Sequence, residues 1–317
     1  MIWLSWRQQR TETLIAAAIL ALLTVAFVPA GIHAADLYVQ QHVARCVDRQ
    51  TQACGFVVGN YVLNTGVLRG LLDSGWFNLI PGLIGVALAT PILLDLENGV
   101  VRLAWTQSIT RRHWIGTKLG FAVGTAVLAG AGFSALFTWY EIPFDRIFGR
   151  WDKFDFEWLA PVGYTLFALG LALAVGVLVR RSAAALVVAY GAYVAARLFV
   201  QYWLRQHLVA PLSATWGPRS AGPNLSSAWV ISQVPSDKAG HPFSGGAQVF
   251  QACVRSNGDG FKGVSQACMA RHGAGFTHAV YQPASRFWEF QGIEFALFAG
   301  VALLLISFAA WRVLRTD

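Results

Sequence analysis

Arg197 and Glu294 are the residues whose chemistry most needs an explanation, because each places an ionised group inside a long apolar run. Such charges are costly in hydrocarbon, so they face a partner or a water-filled cavity and mark pathways for cargo. Arg197 lies about seven residues before the end of the fifth apolar run and Glu294 sits early in the sixth. At about 1.5 Å per residue, both fall on the order of 10 Å below the same boundary. Equal depth permits an ion pair, so the two are expected either to bind each other or to line the outer part of a path. The plainer alternative is that Arg197 snorkels to the headgroups while Glu294 stays wet near the surface.

Other chemistry is mostly missing. The chain has no Gly-Lys dipeptide and so no P-loop for nucleotide phosphates, and it lacks H-E-x-x-H and G-x-S-x-G. Any ATPase acting with it must be another polypeptide. Gly132, Phe133 and Ser134 are similar to strings in intramembrane serine proteases, but small residues in an apolar helix serve close packing. Cys46, Cys54, Cys253 and Cys268 permit three pairings; the local ones, Cys46 with Cys54 and Cys253 with Cys268, close the shortest loops. Each bridge contributes about 2 to 3 kcal/mol. A zinc site is the poorer reading, since there is no C-x-x-C and His33, His42, His207, His241, His272 and His278 are scattered. No metal is therefore expected, and no catalytic residue.

The elements that must hold these residues are helices in a bilayer. Hydrophobic residues make up 56% of the 317, charged residues only 13%, and mean hydropathy is +0.49, which excludes an ordinary soluble globule. Apolar runs of roughly 20 residues span about 30 Å of hydrocarbon. They fall at 14–32, 77–96, 117–140, 158–179, 183–204 and 290–313. The reading is an all-α polytopic membrane protein with six transmembrane helices. Residues 1–13 read as an N-terminal interfacial helix, with Ile2, Trp3 and Trp6 toward lipid and Arg7 and Arg10 toward water. Three segments lie on one side: the loop 33–76, the acidic loop 141–157 and the large loop 205–289. The first and third are expected to form a disulfide-stapled extracytoplasmic cap. The opposite side holds 97–116 and the tail 314–317.

Charge placement orients the chain. Arg7, Arg10, the basic stretch from Arg102 to Lys118, Arg180 with Arg181, and Arg312 with Arg315 mark the cytoplasmic side. Both termini are then cytoplasmic in a multi-pass protein of the cell membrane. The net charge of +8 is mostly topology and gives no reason to expect nucleic-acid binding. Tryptophans follow the same register, with Trp3, Trp6, Trp105, Trp114 and Trp311 at the inner boundary and Trp76, Trp139, Trp158, Trp203 and Trp288 at the outer one.

The segment ENGVVRLAWTQSITRRHWIGTK, from Glu97 to Lys118, carries the most specific signal. It resembles the cytoplasmic coupling segment of permease subunits of ATP-binding-cassette exporters of the type-2 class. In particular it resembles an actinobacterial-like group reading roughly Glu, Gly, Arg, Ala-Trp-Thr-Gln-Ser, Thr-Arg, Trp, Lys. Here these are Glu97, Gly99, Arg102, Ala104 to Ser108, Thr110, Arg111, Trp114 and Lys118. The opening MIWLSWRQQR and the stretch from Tyr281 to Glu294 resemble the same family. The resemblance implies a cytoplasmic P-loop ATPase partner that carries ATP and Mg, with no cofactor on this chain, and a second permease copy, identical or paralogous. It further implies coupling through Glu97, Arg102, Trp105, Arg111 and Arg112, and outward movement of a hydrophobic or amphipathic cargo such as a drug, antibiotic or lipid. The rival readings are a membrane-embedded enzyme, such as an acyltransferase or protease, and a non-transporting sensor or assembly protein.

Overall fold

The computed structural model describes residues 2–47, 51–98, 110–179, 181–217, 220, 222–242, 246–257, 260–273 and 275–315. The chain forms two compact units, one of Met1–Ile147, Lys153–Arg205 and Trp288–Asp317, the other of Phe148–Asp152 and Gln206–Phe287.

The first unit is built from α1 (Ile2–Gln40), α2 (Gln52–Asp73), α3 (Ile80–Glu97), α4 (Arg111–Phe148), α5 (Ala160–Val179), α6 (Ser182–Phe199) and α10 (Phe287–Arg315). A π-helical turn, Val200–Leu204, joins α6 to the short α7 (Arg205–Leu208). Six helices are long and apolar enough to cross a membrane, which makes this a multi-pass membrane protein. α2 is not among them.

Two expected boundaries move. The separate interfacial helix over 1–13 is instead the first turns of α1, because nothing between Arg10 and Leu14 breaks a helix. Thr13 Oγ1 donates to the Gln9 carbonyl at 2.9 Å within the continuous turn. The loop expected at 141–157 begins eight residues late, since α4 runs to Phe148 through Pro143. The missing proline N–H is outweighed by what those residues bury: Phe144 enters an aromatic core, and Glu141 lies 3.6 Å from Arg69.

That core joins α1, α2 and α4. Phe27 packs edge-on against Phe137 at 4.9 Å and Tyr140 at 5.0 Å, and Tyr61 meets Tyr38 and Phe144 at 6.0 and 5.6 Å. Aromatic pairs in these orientations add about 0.5–1.5 kcal/mol each beyond area burial. The Cys46–Cys54 bridge closes the turn between α1 and α2. α3 lies close against both α5 and α6: a Cβ on Gly85 would stand 2.3 Å from the Thr165 carbonyl oxygen of α5, and one on Gly82 would stand 2.0 Å from the Tyr193 ring of α6.

The chain is mostly helical, and the second unit adds short strands within the loop 205–289. Its strands are β1 (Leu212–Trp216), β2 (Trp229–Ser236), β3 (Val254–Asn257), β4 (Gly260–Val264) and β5 (Phe276–Gln282). β5 lies between β1 and β2 in an antiparallel sheet, and β3 pairs with β4 as a hairpin. α8 (Gly246–Cys253) and α9 (Gln266–Arg271) flank the hairpin and are joined by Cys253–Cys268. Both local cysteine pairings are thus present, one in each unit.

The Gly85 contact yields a prediction. Gly85→Ala should destabilise the purified protein by about 1–3 kcal/mol through overpacking against backbone, read as a lower thermal unfolding midpoint in detergent. Gly116→Ala, inside α4 at a position with open space around its Cβ, should not lower the midpoint and should raise it slightly, since alanine favours helix over glycine.

Candidate functional site

Arg197 and Glu294 come together, and they bring two further charges with them. Glu294 is fully buried on α10, Arg197 is buried on α6, Arg205 begins α7, and Asp155 sits in the 3-10 turn Phe154–Phe156 ahead of α5. Arg197 Nη1 lies 3.3 Å from Glu294 Oε1 and Nη2 lies 3.2 Å from Asp155 Oδ1. Arg205 grips Glu294 with its fork, Nε to Oε2 at 2.8 Å and Nη2 to Oε1 at 2.9 Å, and also contacts Asp155. The Tyr164 hydroxyl bridges the two acids, 2.6 Å from Glu294 Oε1 and 3.0 Å from Asp155 Oδ1. The Arg197 guanidinium stacks 3.6 Å over the Tyr164 ring, and that of Arg205 lies 4.3 Å over Phe154. Two cations and two anions cancel, so the site holds four charges without a net one. Bidentate and stacked contacts of this kind suit arginine and would be lost with lysine.

Local backbone devices aim these groups. Along a regular α-helix at about 100° per residue, Arg205 would stand about 80° round the axis from Arg197. The π turn Val200–Leu204 accommodates about one extra residue, which returns Arg205 to within about 20° of the Arg197 face. Gln291, one turn before Glu294, accepts hydrogen bonds from the Leu159 and Ala160 N–H groups at 3.2 and 3.0 Å and donates to the Phe154 carbonyl at 2.9 Å. It therefore caps the start of α5 from another helix and fixes the turn that carries Asp155. Burial pushes the Asp155 carboxyl up, but Arg205 and Arg197 outweigh it and hold the group well below the usual carboxylate range. A depressed value means that the stabilisation is present above about pH 3.9, the ordinary aspartate value, and is lost only as pH falls through the lower folded value.

A second polar constellation lies where α3, α4 and α6 end beside the connector. Glu97 Oε2 accepts from the Ser182 N–H, the first of α6, at 2.9 Å. A carboxylate there satisfies an orphan donor and complements the helix dipole. Lys118 on α4 is buried and pairs with Asp95 on α3, and its ammonium lies 5.0 Å from the Trp114 ring. Trp114 is buried with Ile115 and Val313. Gln9 Nε2 on α1 reaches the Lys118 carbonyl at 3.5 Å. Arg111 and Arg112 occupy the first turn of α4, with Arg112 exposed. Arg102 and Trp105 lie outside the described residues.

Sequence reasoning missed Asp155, Tyr164, Arg205, Asp95 and Gln291. Asp155 reads as loop acidity and Arg205 as the start of a loop; only the π turn and the folded-back 3-10 turn place them. A signal existed in the spacing of Arg205 eight residues from Arg197, which becomes one face once a residue is inserted. Ser134 donates to the Trp158 carbonyl at 2.7 Å, which holds Trp158 in its left-handed conformation at φ 55° and gives Ser134 a packing role.

Two outcomes follow. Glu294→Gln and Arg205→Gln should each lower stability by roughly 3–5 kcal/mol because a buried charge is left uncompensated, while the double change recovers part of the loss; strictly additive losses in thermal unfolding would dismiss the pair. Inserting one alanine after exposed Tyr202 should swing Arg205 by about 100°, reproducing the Arg205→Gln defect, whereas deleting Tyr202, which leaves Arg205 seven residues from Arg197 on a regular helix and so on the same face, and Tyr202→Ala, which keeps the register, should not.

No curated protein and no solved structure matches this chain. Residues 17–205, more than half of the chain, match the family model described as ABC-2 membrane transporter related. The matched stretch runs from the first span through Arg205, taking in the connector and all the charged groups described above except Glu294. The six spans and this match over more than half of the chain show that it belongs to the ABC-2 membrane transporter related family.

Proposed function

We propose that the chain is the permease subunit of an ATP-driven exporter in which α6 carries movement from the connector to the charge cluster. One observation carries this reading. Glu97, at the connector's start, holds the first N–H of α6, and the other end of the same helix carries Arg197 and leads into Arg205. At about 1.5 Å per residue, Ser182 and Arg197 are roughly 22 Å apart along the axis. A helix held at both ends transmits a push as a rigid body, whereas a loop would absorb it.

The connector and both termini face the cytoplasm, where a separate P-loop ATPase bearing ATP and Mg docks against Arg102, Trp105, Arg111 and Arg112. A second permease copy, identical or paralogous, completes the pathway. Cargo is hydrophobic or amphipathic and moves outward between the two copies. Closure of the ATPase dimer drives the cycle only if it binds one arrangement of the spans better than the other. The charge cluster supplies two discrete arrangements, because its arginines can re-pair between Asp155 and Glu294 without exposing a lone charge.

The test is reconstitution with a cytoplasmic P-loop ATPase as partner. Charge reversal of Arg111 and Arg112 should weaken ATPase co-purification at least about tenfold, the loss of roughly 1.4 kcal/mol, with membrane insertion intact. Glu97→Gln should leave association near normal but uncouple hydrolysis from transport. Unchanged association and unchanged coupling in these variants would remove the proposal.

A further inference from the structure

The cysteine pair of the second unit has a third neighbour that its spacing in the sequence conceals. Cys253, Cys268 and His272 each bring a ligand atom to within 4.8 Å of the others. Cys268 and His272 stand one helical turn apart at the end of α9, with the His272 N–H bonded to the Cys268 carbonyl at 3.3 Å. Residues four apart share a helix face, so the imidazole and the sulfur both look toward Cys253.

The placement of the two cysteines does not depend on their bond alone. The Cys253 carbonyl accepts the Ser265 N–H at 2.9 Å, and Ser265 Oγ in turn accepts the Cys268 N–H at 3.3 Å at the start of α9. Cys253 is buried against Met269, with Val249 packed beside it. A reduced pair would therefore stay close to its oxidised position. Two thiolates and an imidazole are the ligand set of a soft or borderline divalent cation, with a fourth position left for water.

We propose that Cys253, Cys268 and His272 form a redox-gated metal site, in which a zinc-like cation takes over the cross-link when the disulfide is reduced. Reduction by a dithiol carrier transfers two electrons and two protons to the pair and leaves the carrier as its own disulfide. Binding of the cation then releases the two thiol protons to solvent. The hairpin β3–β4 lies between the two cysteines, so either cross-link keeps it closed: a covalent one under oxidising conditions and a coordinate one under reducing conditions. Binding of this type also stabilises the folded state by linkage.

Titration of the detergent-solubilised full chain with Co(II) alone tests this, after reduction with a phosphine, which takes up the oxygen of water as two thiols form. The reduced protein should bind one Co(II) per chain with the absorption of a tetrahedral thiolate site, and the oxidised protein should show no such band. His272→Ala, which leaves both cysteines in place, should weaken binding at least about tenfold, since loss of a direct ligand costs no less than the 10–100-fold typical of groups behind it. The Cys253→Ser, Cys268→Ser double variant should abolish the band. The proposal is overturned if reduced and oxidised protein bind Co(II) alike, or if His272→Ala binds as tightly as the parent.

Discussion

Everything at the far end of the spans depends on how four ionised groups are kept in a place that disfavours each of them. Removing a single charge from water costs several kcal/mol even after relaxation, and an ion pair offsets that cost only with close geometry and satisfied hydrogen bonds. Here the fork of Arg205 closes on Glu294, Arg197 stacks on Tyr164 while reaching both acids, and the Tyr164 hydroxyl ties the acids to each other. Such a cluster is poor evidence of net stability. Its effect is positional, because the turn before α5, the end of α6 and the start of α10 must come together for their charges to be satisfied.

The same constraint explains the neighbouring irregularities. A π turn is rare and its hydrogen bonding is inferior to that of an α-helix, so its presence beside Arg205 implies a compensating gain. The gain is the alignment of two arginines on one face. Gln291 makes the matching adjustment on α10 by capping α5 across the gap between helices. At the connector end, Glu97 and Lys118 do similar work with single charges, which fastens both flanks of the connector to the bundle.

Legibility in the sequence followed the range of the interactions. Apolar runs identified all six spans because length and composition are local properties, and the disulfides were legible because each closes a short loop. The meeting of Arg197 and Glu294 could be framed from depth alone, since rise per residue is fixed. Asp155 and Arg205 could not, because an inserted residue and a folded-back turn leave no compositional mark. The strands of the second unit were hidden for another reason: they are short, separated by Gly and Pro clusters, and paired between residues as distant as Leu212 and Tyr281. The end of α4 was missed because the apolar run stops at Tyr140, whereas buried Glu141 and Phe144 carry the helix onward.

The central claim is that α6 moves against α10 when the ATPase changes state. All four native cysteines are bridged, so cysteines introduced at exposed Tyr202 and Trp288 are the ones that accept spin labels. Pulsed dipolar spectroscopy on the complex with its ATPase then reads the separation of the two labels with and without bound ATP. The account predicts two distance populations whose weights shift with nucleotide, and no shift in the Glu97→Gln background. A single distance, unchanged by nucleotide in the parent protein, would contradict it.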